Sequence, residues 1–135
     1  MADYYCQMSH VITAKTKAQR DDLIDTLGED NKDYNDEYHG AEASVENDTS
    51  VWIHSEEAVD MGALADIIAA WQTKHKITTP EIISCAFTCS KPRTDAYGGL
   101  AVLIYHGKQY WYDPTDLAQA KLDRLQASEK KGKKK

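Results

Sequence analysis

Cysteines and histidines are the residues of this 135-residue chain that could bind a metal ion or act in nucleophilic catalysis, and their spacing limits both. Cys85 and Cys89 lie four positions apart, in a segment whose apolar side chains alternate as in a β-strand. Four residues of a strand span roughly 13 Å, whereas Zn–S bonds are about 2.3 Å long, so these two thiolates cannot share a zinc ion. We therefore predict that both are small core residues. A zinc site would need Cys6 and Cys89 on neighbouring strands, with a histidine close by.

The five histidines are scattered through the chain, at His10, His39, His54, His75 and His106. They form neither the His-Glu-x-x-His motif nor any other helical pair at four-residue spacing. A Cys–His nucleophilic pair would have to assemble from elements that are distant in sequence. We therefore assign no catalytic residue, and we expect the histidines to be structural or exposed.

The acidic segment from residue 30 to residue 42 does not match the calcium-binding loop of an EF-hand. That loop needs oxygen ligands at positions 1, 3, 5 and 12 and a glycine at position 6. Counted from Asp33, position 6 is Tyr38 and position 12 is Ser44, so the pattern fails. We predict no metal site and no cofactor, and weak binding of a divalent cation stays open as an alternative.

The segment 90–99 connects two predicted strands and is a candidate for anion binding. It carries two bases, hydroxyl groups and paired glycines, and the candidate residues are Lys91, Arg93, Thr94, Gly98 and Gly99. The segment lacks the P-loop and dinucleotide-binding spacings, but it is longer than the usual two to five residues of a hairpin loop. Two interpretations stay open: an anion-binding loop, and an ordinary surface loop whose glycines permit positive φ angles.

Negative charge is concentrated in the middle of the chain. The net charge is −6, yet residues 21–66 hold fifteen acids and one base, and the last seven residues hold five lysines and one glutamate. The helix dipole favours acids at a helix start, but it does not explain acids in a loop or a hairpin. We therefore predict a docking surface for a protein with a basic surface, with a merely solvated face as the alternative.

The predicted partner-binding residues are seven acids and three neighbouring aromatics: Asp30, Asp33, Tyr34, Asp36, Glu37, Tyr38, Glu42, Glu46, Asp48 and Trp52. Aromatic side chains are frequent anchors of interfaces. In the limiting case, such a surface imitates the charge of nucleic acid and inhibits a protein that handles it. Direct binding of nucleic acid is not expected, because residues 1–128 carry a net charge of −10 and the RNP1 motif is missing.

Hydrophobic periodicity divides the chain into nine elements. Strands are predicted over residues 4–13, 41–47, 51–55, 81–90, 100–106 and 109–113. One helix is predicted to begin after Thr16 and to stop at Gly28, a second to cover residues 60–76, and a third to follow Asp113 with Pro114 at its first position. Residues 28–40 are predicted to be a surface loop. Both faces of strand 81–90 are moderately apolar, which favours a central position in the sheet.

The order β-α-β-β-α-β followed by β-β-α predicts an α+β fold. The first six elements match the ferredoxin-like split βαβ pattern, with two helices on one face of an antiparallel sheet, and the C-terminal ββα extends it. The length predicts a single domain over residues 1–128 and a flexible basic tail over 129–135. We find no transmembrane stretch, secretion signal or disulfide pattern, and we expect a cytoplasmic protein that does not associate with membranes.

Three functions are compatible with these features. The first is a small, acidic, non-enzymatic protein-interaction module, which becomes an inhibitor in the limiting case above. The second is a dimeric ferredoxin-like regulatory domain that associates through its sheet and binds a small anion with segment 90–99. The third is an enzyme assembled from Cys, His and Asp residues that are distant in sequence. The charge pattern favours the first, as a monomer or a homodimer.

Overall fold

The computed structural model describes residues 4–32, 39–90 and 98–133, with the backbone alone for residues 30–32, 132 and 133. Within these ranges the chain forms six strands and three helices. In chain order they are β1 (Tyr4–Thr13), α1 (Lys17–Lys32), β2 (Glu42–Val45), β3 (Ser50–Ser55), α2 (Met61–His75), β4 (Glu81–Cys89), β5 (Gly98–Tyr105), β6 (Lys108–Tyr112) and α3 (Pro114–Lys133). α3 includes residues 129–133 of the predicted tail.

All six strands belong to one antiparallel sheet, in the order β2-β3-β1-β4-β5-β6. β1, the first strand of the chain, lies between β3 and β4 in the middle of the sheet. β2 lies at one edge and β6 lies at the other. His106 and Gly107 turn the chain from β5 into β6 with positive φ angles of 53° and 73°. Two successive positive φ angles are typical of the type I′ hairpin turn.

The apolar core lies between one face of this sheet and the helices α1 and α2. The strands supply alternate side chains to it: Met8, Ile12, Val51, Ile53, Ile83, Cys85, Val102 and Ile104. α1 adds Leu23 and Leu27, and α2 adds Leu64 and Ile68, all at most 1% exposed. A large aliphatic side chain buried in this way contributes about 1.5–3 kcal/mol. The sheet and these two helices are therefore held together by one core.

α1 begins as predicted but runs further. The N–H of Gln19 donates to Oγ1 of Thr16 at 3.2 Å, which caps the helix start. The prediction that Gly28 ends the helix is wrong, because the helix continues to Lys32. A glycine inside a helix costs only about 0.5–1 kcal/mol, which is too little to stop a helix by itself.

His39 is fully buried, whereas the sequence placed it in a surface loop. Its Nε2 donates to the carbonyl of Leu27 at 2.9 Å, and its Nδ1 accepts from the N–H of Ala41 at 3.0 Å. Its own carbonyl accepts from the N–H of Asp60 at 2.7 Å. The surface-loop prediction therefore fails at this residue, because its imidazole connects α1 with the start of β2 and its backbone carbonyl binds the start of α2.

Gln72 makes an equivalent connection at the opposite end of α2. It is 1% exposed, its Nε2 donates to the carbonyl of Ile104 at 3.1 Å, and its Oε1 accepts from the N–H of Gly107 at 3.1 Å. A Cβ at Gly107 would collide with the Thr73 hydroxyl. The β5–β6 hairpin is thus fixed against α2 by hydrogen bonds as well as by packing.

α3 differs from the other helices because it contributes nothing to the core. Each of its side chains from residue 114 to residue 131 is exposed. Asp113 caps its start as predicted, since Oδ1 accepts from the N–H groups of Thr115 and Asp116 at 2.7 and 3.3 Å. Pro114 occupies the first helical position. α3 is therefore a well-capped helix that has no buried side chain.

The α+β class and the antiparallel sheet are confirmed. The strand order does not by itself establish the ferredoxin-like topology. None of the helices in the described ranges combines the length and the apolar character needed to cross a membrane.

Candidate functional site: the uncovered face of the sheet

The face of the sheet opposite α1 and α2 carries a continuous row of large apolar side chains. Leu103 pairs with Tyr110 on β6 and with Ile82 on β4, and Val11 on β1 pairs with Trp52 on β3. Gln7 pairs with Ala86, so Val11 and Ile82, four residues further along these neighbouring strands, lie on the same face of the sheet. The row therefore crosses five strands; we call it the apolar row: Tyr110, Leu103, Ile82, Val11 and Trp52.

The apolar row is open to solvent. Ile82 is 67% exposed although β4 is an inner strand, and Val11 is 45% exposed. Tyr110 and Trp52 are 46% and 37% exposed. A one-sided antiparallel sheet normally alternates apolar residues towards the core with polar residues towards water. This face breaks that pattern, because its solvent side is apolar too.

Charge is nearly absent from the uncovered face, although 28% of the residues in the chain are charged. Among the described strand residues on this face, only Glu42 and Lys108 carry Asp, Glu, Lys or Arg side chains. Glu42 lies on the edge strand β2, and Lys108 lies on the edge strand β6. The centre of the face thus offers a partner no charge to pair with, and its two edges carry opposite signs.

Trp52 is held in a fixed orientation on this face. Its Nε1 donates to Oγ of Ser9 at 2.9 Å. Its ring stacks on His54, with the ring centres 3.7 Å apart and the planes 21° from parallel. An aromatic side chain fixed in this way loses little conformational entropy when a partner packs on it.

An acidic depression of about 480 Å³ lies beside Trp52, at the β2 edge of the sheet. Three carboxylates surround it, from Glu42, Glu56 and Glu57, together with His54. Nε2 of His54 lies 3.7 Å from Oε2 of Glu42. The sequence pointed to Glu42, but it gave no sign that Glu56 and Glu57, which directly follow β3, would converge on the same depression.

The predicted partner-binding residues are only partly brought together. Glu42 and Trp52 lie at the acidic depression or next to it, and Glu46 and Asp48 are exposed in the β2–β3 hairpin. Asp30 lies in α1, where only the backbone is described. The remaining members fall outside the described residues: Asp33, Tyr34, Asp36, Glu37 and Tyr38.

The predicted anion-binding residues divide in the same way. Lys91, Arg93 and Thr94 fall outside the described residues, and Gly98 and Gly99 open β5. A Cβ at Gly99 would lie 3.2 Å from the carbonyl oxygen of Cys85 and 3.9 Å from Cγ of Pro114. The tight contact is with the backbone of β4, whereas Pro114, the first residue of α3, lies at ordinary van der Waals distance from this position.

A second groove, of about 380 Å³, lies between α1 and α2 on the other side of the molecule. Asp22 at this groove accepts hydrogen bonds from Nε2 of His75 at 2.7 Å and from Nζ of Lys74 at 3.1 Å. These bonds, that from His75 first and that from Lys74 second, lower the pKa of Asp22. The groups lie 52 and 53 residues apart, so their spacing in the sequence gives no warning of the cluster.

His10 and Glu81 form a similar pair on the helix-facing side of the sheet, with 2.7 Å between Nε2 and Oε2. The structure thus assembles two histidine–carboxylate pairs from distant residues, as the enzyme hypothesis required. The hydrogen bonds described for both pairs include no cysteine or serine that would serve as the nucleophile. The arrangement fits structural bridges between elements.

The cysteines occupy the helix-facing side of β1 and β4. Cys85 and Cys89 are 6% and 9% exposed, which confirms the prediction that they are core residues. Burial, and then a hydrogen bond with Cys6, raise the pKa of Cys85 to about 12. A thiol with that pKa stays protonated at neutral pH and is a poor nucleophile. Within the described residues, no group of three or more His, Cys, Asp or Glu side chains is arranged to hold a metal ion.

The uncovered face was not predicted, although one signal for it was present in the sequence. Apolar residues on both sides of β4 predicted a central position in the sheet, but they did not indicate that the side without helices would be apolar and exposed. The strand is central, but α1 and α2 lie on the same side. No protein-family model, curated protein or solved structure matches this chain.

Proposed function

We propose that the protein is a small non-enzymatic protein-interaction module that acts as a homodimer, joined through the uncovered faces of two sheets. The observation that carries this proposal is the apolar row. Apolar surface in contact with water is unfavourable by about 25 cal/mol per Å². Monomeric proteins seldom expose a contiguous apolar patch of this extent, and such patches mark interaction sites.

A second copy of the chain suits this face better than the basic partner that the sequence predicted. In a twofold dimer the same patch is used by both subunits and must complement itself. An uncharged apolar face meets this condition without repulsion between like charges. Ile82 lies at the middle of the apolar row, so a twofold axis near it would pack the two Ile82 side chains close together, in the best-excluded part of the interface.

We also propose that β1–β4, α1 and α2 form a ferredoxin-like unit, to which β5, β6 and α3 are added. Its support is the position of β1 between β3 and β4, together with the packing of both helices on one face. In this unit one face of the sheet is free, and here it would serve dimerisation.

A second candidate function concerns the acidic depression, which would dock a basic segment of a protein. It is favoured by the convergence of Glu42, Glu56 and Glu57 around one cavity next to the fixed ring of Trp52. Lysine and arginine side chains are attracted both by carboxylates and by aromatic faces. The two functions use different surfaces, so one molecule can perform both.

Sedimentation equilibrium of the full-length chain tests the dimer. We expect twice the mass of the 15.2 kDa chain, and we expect Ile82→Asp to raise the dissociation constant by about a hundredfold, because an acid at the centre of an apolar interface has no counter-charge. Ala18→Asp is the matched control, since it adds the same charge at an exposed position of α1. A wild-type monomer at every concentration would contradict the proposal, as would an Ile82→Asp protein that dimerises like the wild type.

A further inference from the structure

α3 has an apolar stripe with nothing packed on it. Leu117, Leu122 and Leu125 are 55%, 45% and 49% exposed. The helix has 20 residues and is therefore about 30 Å long. Helices in water gain most of their stability from packing an amphipathic face, and an isolated helix is only marginally stable. A helix of this length and pattern is therefore expected to have a partner.

α3 begins at the uncovered face of the sheet. Pro114 packs near Gly99, which belongs to the uncovered face of the sheet. Ala118 and Leu122 follow Pro114 at four-residue intervals, so they lie on the same side of the helix. Lys121 lies within the stripe, four residues from both Leu117 and Leu125, and Arg124 borders it, whereas Asp116 and Asp123 lie on the opposite side. The side of α3 that continues the uncovered face is therefore apolar and basic.

The edge charges select one direction for the twofold axis. An axis parallel to the strands puts the β2 edge of one subunit over the β6 edge of the partner, so that Glu42 and Lys108 lie on facing edges. An axis across the strands would instead stack like edges, with acid over acid and base over base. The first arrangement avoids the repulsion.

The same axis puts α3 opposite the acidic depression of the partner. On one side Glu42 is level with His54 and Ser9, and on the other Tyr112 is level with Ala101 and Ser84. Continuing the β1–β4 register two residues past Gln7 and Ala86 brings Ser9 opposite Ser84, and so Glu42 level with Tyr112. α3 begins two residues after Tyr112, at the β6 edge. A rotation about an axis parallel to the strands keeps this level, so the start of α3 meets the partner at the level of its Glu42.

We propose that α3 is an arm that packs its leucine stripe against the second copy of the chain, with Lys121 and Arg124 directed at the partner's acidic depression. This inference rests on the proposed homodimer and names the basic segment that the depression binds. The expected area agrees with it. The strands are 4 to 10 residues long and about 4.8 Å apart, so at about 3.3 Å per residue they give a face of roughly 670 Å². A stable interface buries about 800 Å² on each partner. The α3 stripe supplies the missing area.

Charge reversal on α3 tests the arm in the full-length protein. We expect Lys121→Glu to raise the dimer dissociation constant about five- to tenfold. The control is Lys130→Glu, which makes the same change on the opposite side of the same helix and should alter it less than twofold. Glu57→Lys alone should weaken the dimer similarly, and the Lys121→Glu/Glu57→Lys double variant should recover most of the affinity, because it restores an opposite-charge pair.

Amide hydrogen exchange separates this proposal from the dimer itself. In the wild-type dimer we expect slow exchange across residues 117–128, and in the Ile82→Asp monomer we expect fast exchange there, although Ile82 lies in the sheet. A different outcome is a wild type that dimerises while α3 exchanges quickly and Lys121→Glu behaves like Lys130→Glu. That result would contradict the proposed packing of α3 on the partner and would leave the sheet dimer intact. A wild-type monomer overturns both proposals.

Discussion

Asp22 holds α1 and α2 together through one carboxylate that accepts from His75 and Lys74. Because these bonds lower its pKa in the folded state, the ionised carboxylate stabilises the fold at pH values above the unfolded pKa, whose reference value is 3.8. The contribution is lost as the pH falls through the lower folded pKa. The same side chain lines the groove between the helices, so its role there is structural.

Replacing Asp22 by asparagine should therefore destabilise the protein in a pH-dependent way. We expect Asp22→Asn to lower the free energy of unfolding by about 0.2–1 kcal/mol at pH 7, the range for exposed ion pairs, and by less at a pH well below the reference value of 3.8, where the folded carboxylate is protonated as well. Urea denaturation at the two pH values measures the difference, with Asp25→Asn on the same helix as the control. An equal loss at both pH values would show that the charge of Asp22 is irrelevant.

For single residues, the sequence predicted features that depend on neighbours in the chain. It gave no information about contacts between residues that are far apart in the chain. The strand alternation around Cys85 and Cys89 excluded a shared zinc, and the cap residues Thr16 and Asp113 lie where they were predicted. The partners of Asp22 and His10 lie 52 to 71 residues away, and no local pattern encodes such a distance. The prediction that His39 lies in a surface loop failed for the same reason, because its burial depends on Leu27 and on the start of α2.

Elements were predictable where their own residues decide their structure. All nine were found, because each carries its periodicity and most carry a cap or a turn signal. What each element packs against was less predictable. The apolar sides of β4 do not say which side will be covered, and the leucines of α3 do not say whether the helix packs on its own sheet. α3 is thus a regular helix that lies outside the core. Its own residues decide that it is a helix, whereas its position outside the core depends on the rest of the fold.

Removing α3 should leave the rest of the fold intact. In the Ile82→Asp background, where no dimer interferes, we expect deletion of residues 114–135 to change the melting temperature by less than about 2 °C, because α3 buries no described side chain. Thermal unfolding followed by circular dichroism measures this. Leu64→Ala, in the core side of α2, should in contrast cost about 2–5 kcal/mol. A deletion as damaging as Leu64→Ala would mean that α3 is part of the core.

For the molecule as a whole, charge and apolar surface are separated in space. Acids lie on α1, around the acidic depression and in the β2–β3 hairpin, while the uncovered face is nearly uncharged. The chain average of −6 and the acidic run 21–66 concealed this separation, because a strand places successive residues on opposite faces. Reading one face of the sheet requires the register of six strands, and that register is a property of the assembled sheet.

The acidic depression should bind basic peptides in a salt-dependent manner. We expect a lysine-rich peptide to bind the full-length Ile82→Asp monomer, in which no partner helix competes for the depression, at low salt. The peptide should lose at least tenfold in affinity between about 0.05 M and about 0.5 M salt, because screening shortens the Debye length from roughly 14 Å to roughly 4 Å. Fluorescence titration measures the affinity. Glu56→Gln/Glu57→Gln should abolish most of the binding, whereas Asp116→Asn on α3 should not. Affinity that is unchanged by salt would exclude an electrostatic site.

The central position of β1 has a consequence for how the chain folds while the ribosome synthesises it. The first strand to be synthesised is flanked by β3 and β4, so it gains its second neighbour only after residues 81–89 have been made. Until then Val11 and Tyr5 lie in a sheet that lacks β4. The long-range contacts between β1 and β4 can form only after β4 has been synthesised. Folds of this kind close slowly because chain entropy is lost before the distant contacts form. The nascent chain therefore passes through a stage in which chaperones, or another chain at the same stage, have access to its first strand.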